Sequence, residues 1–115
     1  MKTPLNNPME PEQYFETIRV KFCSSHKGVT AGKMMHSEAI HYKGKVFAFF
    51  STKQKMVFKL GKQFNVQVVD VPLEMFSPFK NKKPMSGWYQ LGVEYKDSWE
   101  SLTNLALDTI IHKDK

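Results

Sequence analysis

The chain has 115 residues, of which 41% are hydrophobic, and this is enough for one domain with its own core. Its formal net charge is +6, but Arg19 is the single arginine among seventeen cationic side chains, so base-specific recognition of nucleic acid through guanidinium groups is not expected. We find neither the run of about 20 apolar residues that a membrane span needs nor a signal-peptide pattern.

The first predicted element is an amphipathic helix over residues 8–24. Pro11 suits the first turn of a helix, and Gly28 follows as a terminating signal. The apolar side chains recur at spacings of three and four and form one buried stripe, which consists of Tyr14, Phe15, Ile18 and Phe22.

Three antiparallel strands are predicted over residues 33–42, 45–51 and 54–60, with Lys43-Gly44 as a tight turn between the first two. The second strand is apolar on both faces and is therefore expected to be central. In it Val46, Ala48 and Phe50 should point one way, and Phe47 and Phe49 the other. In the third strand Met56, Phe58 and Leu60 are predicted to point inward, and Lys55, Val57 and Lys59 outward.

The remaining chain predicts a short helix over residues 62–70, a loop over 71–87, a strand over 88–93 and a helix from Asp97 to residue 111. Three prolines stiffen the loop (Pro72, Pro78 and Pro84), and three apolar residues anchor it (Phe76, Phe79 and Met85). The last helix is predicted to bury Trp99, Leu102, Ala106 and Ile110. The order α-β-β-β-α-β-α indicates a two-layer α+β fold with an antiparallel sheet, in a single domain over residues 1–115 with an ordered core over about 8–112.

Helices on only one face of the sheet would leave its other face open as a binding surface. The candidate residues on that face are Lys45, Phe47, Phe49, Lys55, Val57 and Lys59. Such a surface could bind a protein partner or a second copy of the chain as a homodimer. The alternatives are a nucleic-acid platform of aromatic rings and lysines, or a face that the later part of the chain covers.

No catalytic constellation is evident, so an enzyme is the less favoured interpretation. Cys23 lies at a helix C-terminus, where the helix dipole raises the pKa of a thiol. His36 and His41 are five apart on a predicted strand and point to opposite faces, so we predict no metal site and no cofactor. A pocket between the loop and the sheet, near His36, Glu38 and Trp88, is the remaining alternative for a small-molecule binder or enzyme.

Several short motifs together resemble the TfoX N-terminal-domain family over residues 10–111. They are Gly28-Val29, Lys33-Met34-Met35, residues 42–48 (YKGKVFA), residues 56–60 (MVFKL), Pro78-Phe79, Pro84-Met85, Gly87-Trp88 and Trp99. The resemblance implies a secretion-chaperone-like α+β domain without catalytic residues. We therefore expect a stand-alone, non-catalytic binding or regulatory module, located in the cytoplasm because one cysteine fits a reducing compartment, with an unknown protein partner and no membrane association.

Overall fold

The structure, a computed structural model, describes residues 10–34, 36–77 and 85–113. Two helices, α1 (Pro11–Ser25) and α2 (Trp99–Lys113), accompany six strands. The strands are β1 (Val29–Met34), β2 (Ser37–Tyr42), β3 (Lys45–Phe50), β4 (Met56–Lys59), β5 (Glu74–Met75) and β6 (Trp88–Leu91). The sheet is antiparallel throughout, and the helices pack on one of its faces, which confirms the predicted two-layer α+β fold.

The strands follow the order β1-β2-β3-β4-β6-β5 across the sheet. The predicted turn between β2 and β3 is present, with Lys43 at φ 51° and Gly44 at φ 85°. These positive φ angles are those that a two-residue hairpin turn requires, and glycine adopts them without strain. In the strand order given above, β1 and β5 are the two edges of the sheet.

The helix-facing side of the sheet contains the main core. From α1 the core takes Phe15, Ile18 and Phe22, as the spacing predicts, while Tyr14 is half-buried beside Trp99. Trp99, Leu102, Ala106 and Ile110 of α2 are buried as predicted. Thr103 is fully buried as well, because its hydroxyl donates to the Trp99 carbonyl at 2.7 Å and needs no water.

Local structure differs from the prediction at four places. The predicted strand over 33–42 is a hairpin of β1 and β2, and β1 begins at Val29. The predicted loop over 71–87 contains the short strand β5. In place of a helix over 62–70 there is only a 3-10 turn at Val66–Val68, closed by the Asn65 side chain, which accepts from the Gln67 N–H at 3.0 Å. A second 3-10 segment, Val93–Ser98, includes Asp97, so α2 begins only at Trp99.

Within the described ranges, none of the helices has the length and apolar character that crossing a membrane requires. The predicted anchoring by Phe79, and the stiffening by Pro78 and Pro84, lie outside the described residues.

Candidate binding surfaces

A β-bulge in β3 redistributes the apolar side chains between the two faces of the sheet. Ile40 of β2 is opposite Ala48, but the next residue, His41, is opposite Val46, so Phe47 is the extra residue. Phe47 therefore joins Ala48 on the helix-facing side, and Val46 packs beside Phe49 on the other face. The prediction that Phe47 and Phe49 share a face, opposite to Val46, is wrong for this reason.

The face of the sheet away from the helices is not open at its centre. Phe49 and Val57 are buried there, and Phe76 from the segment after β5 lies against them. The rings of Phe76 and Phe49 meet edge to face at 5.3 Å, and Met85 packs at the border of this cluster. Of the six predicted surface residues, Phe49 and Val57 are thus buried on this face, and Phe47 is buried on the helix-facing side. The later part of the chain covers the centre of this face, which is one of the alternatives that the sequence left open.

The three lysines of the predicted surface lie at its margins. The Lys59 ammonium is 5.7 Å from the centre of the Trp88 ring, a cation–π arrangement. Lys55 approaches Glu74 at 3.8 Å, and Lys45 is exposed at the start of β3. Lysines and buried rings are therefore separated, and this face does not form the alternating platform that the nucleic-acid alternative needs.

The residues of the predicted pocket lie in separate places. His36 is exposed in the connection between β1 and β2, and Glu38 points to the helix-facing side, where it meets Arg19. Trp88 is on the opposite face, with its ring centre 5.7 Å from that of Phe49. The structure does not bring His36, Glu38 and Trp88 together, because β3 and β4 separate the strands of Glu38 and Trp88 and the two side chains lie on opposite faces of the sheet.

Arg19 connects α1 to the β1–β2 hairpin. Its guanidinium donates to Glu16 at 2.6 Å and to Glu38 at 3.0 Å, and to the carbonyls of Gly32 and Ala39 at 3.4 and 3.3 Å. The side chain is only 11% exposed and lies over the Phe15 ring. This arrangement uses the planar fork that lysine lacks.

Glu38 and Cys23, which both interact with Arg19, have shifted pKa values. Hydrogen bonds from Lys33 and then from Arg19 lower the pKa of Glu38. Burial raises the pKa of the Cys23 thiol, and the nearby Glu16 adds to this while Arg19 opposes it. A thiol with a raised pKa is a weak nucleophile, in agreement with the structural role expected for Cys23.

Exposed apolar side chains accompany the β5 edge. We call the surface formed by five residues the corner surface; they are Glu74, Met75, Val93, Glu94 and Tyr95. Met75, Val93 and Tyr95 are exposed by 46%, 37% and 40%. Tyr95 also lines a hollow of about 150 Å³, together with Lys55, Pro72, Glu74, Gln90, Leu91, Gly92 and Glu94. Glu74 and Glu94 give this surface an acidic border.

A second hollow, of about 370 Å³, separates the C-terminal half of α1 from the start of α2. Lys21 and Glu100 form an ion pair across it. His26 stacks on Phe22 with ring centres 4.9 Å apart, and its Nδ1 is 3.0 Å from the Ser25 hydroxyl. The polar groups that border this groove are thus largely engaged with one another.

Comparisons of the chain with models of protein families, with curated proteins and with solved structures found no match.

Neither Arg19 nor the corner surface was among the predicted site residues. The corner has a weak sequence signal, because Val93 and Tyr95 follow a predicted strand without a helical or alternating pattern. Arg19 has a clearer sequence signal, because it is the single arginine of the chain, whereas the other cationic residue of this helix, Lys21, is a lysine on its solvent-facing side.

Proposed function

We propose that this chain is a non-catalytic binding or regulatory module of the cytoplasm that acts through contact with another protein. The observation that carries the proposal is the corner surface, where Tyr95 lines a small hollow and Met75 and Val93 are exposed on neighbouring segments. At about 150 Å³ the hollow is smaller than the roughly 300–1,000 Å³ of small-molecule sites. It has the size for one side chain of a partner, with the neighbouring apolar residues as additional contact area.

The charge of the corner surface indicates the chemistry of that partner. Glu74 and Glu94 lie at the hollow, and Lys55 is 3.8 Å from Glu74. Lys55 offsets part of this acidity. A partner segment with an apolar side chain next to a lysine or arginine would complement both the hollow and its border.

We also propose that the chain is a relative of the TfoX N-terminal-domain family. Support comes from the places that the quoted motifs occupy. Gly28, Gly44 and Gly87 have φ angles of 91°, 85° and 88°, which side-chain-bearing residues rarely adopt. Trp99 is completely buried at the centre of the core. These motif residues thus have roles that a shared fold would demand.

The test is an affinity capture from nuclease-treated cell extract with two matched variants. The wild-type chain should retain a protein that Met75→Lys with Tyr95→Lys loses, because two ammonium groups replace apolar contacts and repel a basic partner segment. Asn104→Lys, a change at an exposed position on α2, should retain it. Capture that is unchanged in the double variant would show that the corner surface is not the binding site.

A nucleic-acid role is the second candidate, and one observation favours it. Lys59 and Trp88 remain partly exposed and adjacent, so one base could stack there beside a phosphate-binding ammonium. Fluorescence anisotropy with single-stranded and duplex oligonucleotides decides this. Binding that persists at about 200 mM salt and is lost in Trp88→Ala would favour it, and no binding at low salt would exclude it.

A further inference from the structure

β1 is an edge strand with outward-facing backbone groups. The Lys43 N–H donates to the Gly28 carbonyl at 2.8 Å, so Gly28 faces β2. Bonding alternates along an antiparallel ladder, and Thr30, Gly32 and Met34 therefore bond to β2. The backbone groups of the residues between them, Val29, Ala31 and Lys33, turn outward.

Two of these outward groups already have partners. The Val29 N–H donates to the His26 carbonyl at 3.2 Å, and His41 Nε2 is 3.4 Å from the Lys33 carbonyl. Among the described residues, no partner is found for the N–H and carbonyl of Ala31, the carbonyl of Val29 or the N–H of Lys33. Both a donor and an acceptor are thus available on Ala31 itself.

The two edges of the sheet differ in how they are protected. β5 is two residues long and offers little backbone for pairing, whereas β1 is six residues long and contains no proline. Short edges, prolines and unpaired lysines are the usual protection against edge pairing. The single lysine of β1, Lys33, is neutralised by Glu38 at 3.0 Å.

An antiparallel pair of two β1 strands requires a twofold axis perpendicular to the sheet. With the axis beside Ala31, each Ala31 N–H donates to the Ala31 carbonyl of the second copy, and each Lys33 N–H donates to the Val29 carbonyl of the second copy. This register uses the four unpartnered groups and no others. It also places Lys33 opposite Val29 of the second copy, so the two Lys33 side chains do not lie opposite each other.

The same axis brings the two α1 helices together on one side of the joined sheet. Arg19 bonds to the carbonyls of Gly32 in β1 and Ala39 in β2, so α1 lies over the space between these two strands, close to the level of the axis. Lys21 and Tyr14 face α2, whereas Val20 points away from α2 and is 57% exposed. Neighbouring strands are about 4.8 Å apart, so two helices that each lie midway between β1 and β2 would be separated by roughly 10 Å, which is a normal packing distance.

A hollow of about 510 Å³ on this flank of α1 is lined by Gln13, Glu16, Thr17 and Val20. In an antiparallel helix pair centred near Val20, the same four side chains of the second copy would line the other side of this hollow.

We propose that two copies of this chain form a dimer by antiparallel pairing of β1 about a twofold axis at Ala31, with Val20 in the same seam. The seam includes a strand and a helix of each copy, since an edge strand alone would bury less than the roughly 1,200 Å² of a stable interface. The proposal is independent of the corner surface, which lies at the opposite edge of the sheet.

Sedimentation velocity over a concentration series tests the proposal. Wild-type protein should show a concentration-dependent dimer, and Val20→Lys should weaken it about tenfold or more, because it places two charges at the axis. Ala31→Pro should abolish it by removing the outward N–H, whereas Ala31→Ser should retain it. Circular dichroism establishes whether each variant is folded. If Ala31→Pro does not fold, Val20→Lys still tests the proposal. A wild-type monomer at every concentration would overturn the proposal.

Cross-linking tests the register. In a Cys23→Ser background, Ala31→Cys places two sulfurs across an opposed pair about 5.5 Å apart between Cα atoms, within the range for a disulfide. Thr30→Cys would place them roughly 8 Å apart, which is beyond that range. Mild oxidation should link the first variant and leave the second unlinked; linkage of Thr30→Cys alone, or of neither, would contradict an axis at Ala31.

Discussion

Arg19 holds α1 over the first two strands through contacts with residues 13 to 20 positions away in sequence. Its Nε is buried and has no hydrogen-bond partner among the described residues. The remaining donors are engaged by two carboxylates and two backbone carbonyls, so one side chain fixes both the height and the position of α1 along β1. That position in turn determines where Val20 lies.

Glu38 provides a pH-dependent part of this attachment. Its pKa is lowered in the folded state by Lys33 and Arg19, so its contribution to stability is present above the pKa that it has in the unfolded chain and is lost as pH falls through the folded-state pKa. Glu38→Gln should therefore lower the free energy of unfolding at pH 7 by roughly 1 kcal/mol, a small value because the carboxylate is 38% exposed.

Urea unfolding at pH 7 and at pH 3 measures this contribution. The difference between wild type and Glu38→Gln should shrink as the pH falls and the Glu38 carboxylate gains a proton, while the exposed Asp108→Asn should differ little from wild type. A difference that is equal at both pH values would mean that the ion pairs of Glu38 contribute nothing to stability.

The bulge in β3 determines which of its side chains are buried in the core and are therefore needed for stability. Phe47 is completely buried between the sheet and the helices, and Val46, one position earlier, is only half-buried on the other face. Phe47→Lys should lower the free energy of unfolding by about 3 kcal/mol or more, because it removes a core ring and buries an ammonium. Val46→Lys should cost about 1 kcal/mol or less, because its amine can reach water.

Thermal and urea unfolding of the two variants decide between the bulged strand and a regular one. In a regular strand Phe47 would share the face of Phe49, and Val46 would be the core residue. A stable Phe47→Lys together with an unfolded Val46→Lys would therefore contradict the bulge at this position.

Much of the local structure is predictable because it depends on neighbouring residues. The stripe of Phe15, Ile18 and Phe22 and the Lys43-Gly44 turn are fixed within a few positions of the chain. The bulge at Phe47 is not predictable from alternation, since it reflects the register with β2, and an inserted residue inverts every assignment on one side of it. The same limit applies to the hairpin of β1 and β2, which reads as one long strand when its connection lacks a glycine.

At the scale of the molecule, the sheet is covered on both faces by different means. Two helices cover one face, and the segment that contains Phe76 covers the centre of the other. The sequence left open whether the later chain would cover this face, because no local pattern tells where a loop of that length packs. The predicted surface residues Phe49 and Val57 are core residues for this reason.

Phe76 should therefore behave as a core residue although it follows a two-residue strand. Phe76→Ala should lower the free energy of unfolding by about 2–4 kcal/mol and increase binding of a hydrophobic dye, because Phe49 and Val57 become accessible. Met75→Ala, one position earlier and 46% exposed, should change stability by about 0.5 kcal/mol or less. Equal stability of the two variants would show that the second face is not closed by Phe76.

The position of α2 has a consequence for synthesis of the chain. The strands that pack against Trp99, Leu102 and Ala106 emerge from the ribosome much earlier than α2. Met56 and Phe58 are therefore not fully buried until α2 has been translated. The nascent polypeptide can form its early hairpins but cannot bury them fully, so their apolar side chains stay exposed until α2 follows.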